Sequence, residues 1–243
     1  TWGTGVNDAN TYPSLFAQRI GTQVFNFGET GYISRQSLSY LNNFLIVNSI
    51  NDISGGHVVF YDGVNDVAHR CRSEISDLGT SREKVIQNKL SPEKSYSLFS
   101  FSKLFEQLNL FLQGAIEKLG IKNTTKLAEQ FYSCSSNSDR AEEVARTLVE
   151  TWQTASDLVT KRGGNFTAIL QPVAFIGNPD INYLDLTSAN DLALDMQYKA
   201  VYPLIRQFAK AKNIDFVDLS LVYDKCDNCY IDFCHVGPQA HKI

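Results

Sequence analysis

The stretch that most constrains this chain is His57-Val58-Val59-Phe60-Tyr61, followed directly by Asp62-Gly63-Val64-Asn65-Asp66. A run of β-branched and aromatic residues bounded by a Gly/Asn/Asp cluster predicts a buried strand that breaks at its C-terminal end. In open parallel α/β sheets that edge is where ligands bind. Gly63 lets the backbone turn sharply there. Asn65 adds a neutral amide donor, of the kind that can face a developing negative charge. Near the other end of the chain, Asp232-Phe233-Cys234-His235 sets a carboxylate three residues before an imidazole.

The elements around this strand predict an α/β fold. Asn10 or Thr11 caps a short helix through Ser14–Ile20, with Pro13 in its first turn and Gly21 at its end. Gln23-Val24-Phe25-Asn26-Phe27 is a strand by composition and runs into Gly28-Glu29-Thr30-Gly31-Tyr32. A helix comes next across Gln36–Ile46, with Leu38, Leu41, Phe44 and Leu45 at helical spacing. Helix, strand, helix, strand with short loops is the signature of a parallel sheet.

Residues 67–95 break that rhythm and are expected to form an inserted loop beside the site. From Tyr96 to Leu119 the apolar face of Phe101, Leu104, Phe105, Leu108, Phe111, Leu112 and Ala115 predicts an amphipathic helix, and residues 120–138 a polar linker. A helix from Ser138 or Asp139 turns Val144, Leu148, Trp152, Ala155 and Val159 inward and ends at Gly163-Gly164. Phe166–Leu170 is the next strand. The helix over Asp191–Ala211 contains Pro203, where a break or kink is expected. Ile214–Leu219 is the last strand.

Composition narrows the partners. Of 243 residues 43% are hydrophobic, enough for a sizeable core in a single domain. A net charge of −4 provides no basic footprint for nucleic acid. No stretch reaches the ~20 consecutive apolar residues of a membrane span. The opening Thr1-Trp2-Gly3-Thr4-Gly5 has glycines of the kind found just after a strand, and His241-Lys242-Ile243 stops where a helix begins. Both ends read as truncations of a longer protein, so location is left open. Five cysteines, Cys71, Cys134, Cys226, Cys229 and Cys234, cannot all pair within the chain. Cys226-x2-Cys229 with Cys234 and His235 behind it raises a zinc site, but the spacing is not that of paired knuckles, and a loop disulfide or plain thiols is preferred. No cofactor is expected. Asn123-Thr124-Thr125 and Asn165-Phe166-Thr167 match the glycosylation acceptor pattern.

Three polar clusters thus lie after strands or close the chain: Gly28–Gly31, Gly63–Asp66 and Asp232–His235. In a parallel sheet they share one edge and can converge. Acyl transfer needs a base oriented by a carboxylate, and donors for an oxyanion. Asp232 can hold the tautomer of His235, while Gly31 can offer an unobstructed backbone N–H and Asn65 its amide.

The set Asn26-x-Gly28-x-x-Gly31, Gly63-Val64-Asn65-Asp66 and Asp232-x-x-His235, in this order on alternating α/β elements, resembles the SGNH/GDSL family of esterases and lipases. The resemblance covers essentially the whole chain. It implies a flavodoxin-like three-layer α/β/α sandwich around a five-stranded parallel sheet. It also implies catalytic roles for Asp232 and His235, with Gly31 and Asn65 as oxyanion donors. The family's first block, a strand ending in Gly-x-Ser, has no counterpart: Thr1–Gly5 resembles the segment directly C-terminal to that block. The nucleophilic serine and the first central strand are therefore expected upstream of Thr1. Ser14, Ser34 and Ser37 stand in the wrong context for that role. The expected activity is hydrolysis of short acyl or sugar O-acetyl esters by the parent protein, this chain alone being inert. Export or membrane anchoring of the parent is in keeping with many members of the family and with the loop cysteines. A non-catalytic glycan- or partner-binding protein is the alternative. A nucleotide-binding flavodoxin-like protein is disfavoured, because no phosphate loop with its lysine is present.

Overall fold

A computed structural model describes residues 5–73 and 131–243. Its centre is a parallel sheet of three strands in the order β1-β2-β3: β1 His57–Asp62, β2 Asn165–Leu170 and β3 Phe216–Asp218. Register obeys the alternation of the strands. Phe60 stands opposite Ala168, which stands opposite Phe216, and Asp62 stands opposite Leu170, which stands opposite Asp218. Side chains of that parity face the helices α2 (Ser34–Val47), α4 (Ser138–Thr160) and α5 (Ala189–Ala211).

Hydrophobic spacing explains why these helices cover the sheet. On α4, Val144, Leu148, Trp152, Ala155 and Val159 form one stripe and all are fully buried. On α5, Tyr198, Val201, Tyr202, Ile205 and Ala209 do the same. Asn137 caps α4 by accepting the Arg140 N–H, and Ser188 caps α5 by accepting that of Asp191. The other sheet face is more sparsely covered. Tyr61 meets Tyr12 of α1 (Tyr12–Ile20) with ring centroids 5.3 Å apart, while Val59 and Val217 remain 48% and 40% exposed.

Several expectations hold with shifted ends. Helix α1 is capped by Thr11 and closed by Gly21, and α2 begins at Ser34 rather than Gln36. Others are corrected. Residues 23–27 form no strand: among the described residues β1 pairs only with β2, and a strand needs a neighbouring ladder. Phe27 packs instead on Phe44 of α2, with centroids 4.9 Å apart, and Phe25 stays 64% exposed. The sheet accordingly has three strands among the described residues, where the sequence predicts four in this chain.

The rhythm does not break at residue 67, because α3 (Val64–Arg70) runs through it with Val67 and Arg70 fully buried. Helix α5 is unbroken at Pro203. The N–H that proline lacks would bond the carbonyl of Lys199, and both residues lie on the exposed side of the helix, so the missing bond falls on the solvent face and not in the core. The last strand is shorter than the expected 214–219. The expected insertion beyond Ser73, the helix over 96–119 and most of the 120–138 linker lie outside the described residues.

Cysteine pairing is also visible. Cys71 is bonded to Cys134, Cys226 to Cys229, and Cys234 is free. The first bridge closes a loop of sequence separation 63 beside an antiparallel bridge between Arg72 and Tyr132. By loop-closure entropy such a link contributes about 4 kcal/mol. Replacing Cys71 and Cys134 together by serine is expected to lower unfolding free energy by up to about 4 kcal/mol, read from the denaturant midpoint.

Candidate functional site

The site begins where β1 ends. Gly63 has φ +125°, and a Cβ there would stand 2.6 Å from Leu170 Cδ1, so any side chain would be both strained and obstructed. The turn is clamped from β2: Gln171 N–H donates to the Asp62 carbonyl (3.0 Å), and Gln171 Oε1 accepts the Val64 N–H (3.0 Å). Two buried tyrosines of α5 complete the clamp. Tyr198 donates to the Val64 carbonyl and Tyr202 to that of Gln171, each at 3.0 Å.

From this turn Asn65 and Asp66 reach the Gly28–Ser34 loop. Asn65 Nδ2 donates to the Tyr32 carbonyl (3.0 Å). An amide nitrogen carries two hydrogens, so the contact fixes the group and leaves one N–H to donate elsewhere. Asp66, fully buried, accepts from the Ser34 N–H (3.0 Å) and hydroxyl (2.6 Å) at the start of α2, and lies 3.7 Å from Arg70 Nε. Its negative charge therefore sits at a helix N-terminus, where it is favoured. Gly31, next to Tyr32, has φ +75° with nothing within 4 Å of where a Cβ would be. Of the serines in the first part of the chain, Ser34 is committed to Asp66, and Ser37 contacts Asp62.

The third cluster lies in a tight loop. Tyr230 and Val236 form an antiparallel bridge, and the Ile231 N–H donates to the His235 carbonyl (2.8 Å). Inside it, Asp232 Oδ2 lies 2.7 Å from His235 Nδ1, while Oδ1 accepts the backbone N–H groups of Cys234 (2.8 Å) and His235 (2.7 Å). The loop is fastened to the same sheet edge. Phe233 gives its carbonyl to the Ala174 N–H (2.8 Å), just beyond β2, and its ring lies 6.3 Å from that of Tyr198, whose hydroxyl holds Val64. Gly5 also abuts this loop, since a Cβ there would stand 2.5 Å from Ile231 Cδ1 and 3.2 Å from the Val236 carbonyl. The Gly63–Asp66 turn is thus bonded to Tyr32 and Ser34 on one side and shares Tyr198 with the loop in which Asp232 and His235 are in direct contact.

Electrostatics derive from these bonds. Partial burial pushes the Asp232 carboxyl up, but the hydrogen bonds from the His235 ring and from the two backbone N–H groups outweigh it and hold the group at about 2. The bond to Asp232 raises the His235 imidazole above its ordinary 6.5, against the opposing effect of burial. Burial, then the charge of Asp66, pushes the Asp62 carboxyl upward. With Nδ1–H given to Asp232, Nε2 of neutral His235 is the acceptor, which is the tautomer a general base needs. Among the described residues no serine or threonine hydroxyl hydrogen-bonds the His235 ring.

Sequence reasoning missed Gln171, Tyr198 and Ser34. Gln171-Pro172 served only to end a strand, although a glutamine at that sheet edge is well placed to clamp the neighbouring turn. The four-residue zinc site does not form, because Cys226 and Cys229 are bonded to each other.

Titration tests the dyad. The His235 contribution to stability is complete below pH 6.5 and fades as pH rises through its raised value. That of Asp232 is complete above its ordinary 3.8 and is lost as pH falls through about 2. The His235 ring resonances are expected to titrate above pH 6.5, and Asp232→Asn to move the midpoint downward. No model of a known protein family matches this chain, and no curated protein matches it.

Proposed function

We propose that this chain belongs to an SGNH/GDSL-type serine esterase, completed by a strand and a nucleophilic serine that precede Thr1. The observation that carries the proposal is the 2.7 Å contact of Asp232 with His235 Nδ1, on a loop packed against Tyr198, whose hydroxyl also holds the turn that carries Asn65. Gly5 beside Ile231 and Val236 supports it, because residues entering from upstream would arrive at the loop that carries the dyad. Among the described residues the edge of β1 away from β2 has no partner strand, and this edge and the exposed Val59, Phe25 and Phe27 suit an additional strand.

In this reaction Nε2 of His235 takes the serine hydroxyl proton as Oγ attacks the ester carbonyl. Asp232 stabilises the resulting imidazolium. The carbonyl oxygen, now an oxyanion, receives the Gly31 backbone N–H and the free N–H of Asn65. Collapse expels the alcohol with the proton from His235. Water then repeats the sequence on the acyl-enzyme, with His235 as base and then acid. The substrate class is a short acyl ester or a sugar O-acetyl ester. Paired cysteines at 71/134 and 226/229 are in keeping with an oxidising compartment. Among the described residues no helix is long and apolar enough to cross a membrane.

The test is hydrolysis of an activated acetyl ester by the protein extended upstream of Thr1. Turnover is expected, to fall by about 10³-fold or more in His235→Ala and by about 10²–10³-fold in Asn65→Ala. Its pH profile should rise with a midpoint above 6.5. Absence of turnover, or turnover indifferent to His235→Ala, would overturn the proposal and leave a ligand-binding role for the same edge.

A further inference from the structure

The hydrolytic chemistry leaves Cys234 unused, yet its thiol stands beside both members of the dyad. Cys234 Sγ lies 3.6 Å from His235 Nδ1, and one ligand atom each of Asp232, Cys234 and His235 falls within 4.8 Å of the other two. Carboxylate oxygen, thiolate sulfur and imidazole nitrogen are the donor types that zinc prefers. We infer that Asp232, Cys234 and His235 form a binding site for a thiophilic divalent cation, Zn2+, which switches off His235 as a base.

Geometry supports this assignment. Tetrahedral zinc, with bonds of about 2.3 Å to sulfur and about 2.0–2.1 Å to nitrogen, sets the two donors about 3.6 Å apart, the spacing already present. Zinc-bound oxygen and nitrogen stand about 3.4 Å apart on the same basis, so Asp232 Oδ2 need only swing outward from its 2.7 Å contact. Asp232 Oδ1 keeps its two backbone N–H donors meanwhile. The loop is closed by the Tyr230–Val236 bridge and the Ile231-to-His235 bond, so the ion does not have to order the chain. The side chains of His235 and Asp232 are 41% and 46% exposed, leaving an approach from solvent and room for water as a fourth ligand. Cys226 and Cys229, bonded to each other, do not compete for the ion.

Binding releases the thiol proton to solvent and replaces the Nδ1–H···Oδ2 bond by Nδ1–Zn and Zn–Oδ2. The Nδ1 proton is released to solvent and Nε2 takes one up in exchange, so the ring stays neutral with its hydrogen on Nε2. Nε2 is then a donor and cannot accept the serine proton. The inhibition rests on the proposed esterase activity, whereas the binding does not.

Cobalt reports the site without turnover. Titrating Co2+ into the full-length protein, with the disulfides kept oxidised, is expected to give a thiolate-to-cobalt charge-transfer band that Zn2+ abolishes. Cys234→Ser should lose that band, and its Zn2+ affinity should fall by about tenfold or more. Zn2+ should inhibit ester hydrolysis reversibly by chelation, with Cys234→Ala as active as the parent and at least tenfold less sensitive. Absence of the band, its persistence in Cys234→Ser, or equal inhibition of Cys234→Ala would overturn the site. A cysteine-dependent band in a protein without esterase activity would support the site and remove only the hydrolase proposal.

Discussion

Residue 63 has no side chain, and the C-terminal edge of the sheet is built around that absence. Leu170 fills the space a Cβ would need, which brings the ends of β1 and β2 close enough for Gln171 to clamp the turn on both sides. Only then do Tyr198 and Tyr202 reach the carbonyls of Val64 and Gln171. The direction in which Asn65 and Asp66 leave the sheet, and so their contacts with Tyr32 and Ser34, is a consequence of this one close approach. A hydrophobic contact between two strands thereby fixes the placement of polar groups that touch neither.

The three carboxylates near this edge show how environment assigns different roles to one functional group. Asp66 is buried but satisfied by the start of α2 and by Arg70, and acts as a strut between two loops. Asp62 is buried with the Trp152 indole N–H (3.2 Å) and Ser37 as its partners, and desolvation pushes its carboxyl up. Asp232 is half exposed and accepts three hydrogen bonds, so it keeps its charge. Only the last combines a retained charge with access to solvent, the pairing that chemistry on an external substrate requires.

Much of this was legible in the residues. The stripes of α4 and α5 reflect apolar spacing, and β1 and β2 short β-branched runs, because burial of one face decides both. The Asp232–His235 contact was legible because three residues separate them in a tight turn, so local geometry is enough to bring them together. The failures are of another kind. Gln23–Phe27 has the composition of a strand, but membership of a sheet depends on a neighbour that no local pattern encodes. Pro203 looked like a break because propensity ignores the buried tyrosines and aliphatics that anchor α5 on either side of it. Gln171 and Tyr198 were invisible for a related reason: each acts through long-range hydrogen bonds to backbone, which leave no periodic trace.

Residues 71–73 and 131–134 lie side by side at the end of α3. The Ser73 N–H bonds the Phe131 carbonyl (2.9 Å), the Ser133 N–H bonds that of Cys71 (2.8 Å), and the Cys71–Cys134 bridge locks the two passages together. The two passages are therefore held as one covalently joined pair at the end of α3, the helix that opens with Val64 and Asn65. Because the entropy of closing a loop grows only logarithmically with its length, the Cys71–Cys134 link holds these two passages together almost irrespective of how many residues separate them in sequence. The sheet edge beside it is thereby insulated from changes in that number, so evolution can vary it while the groups next to α3 stay still.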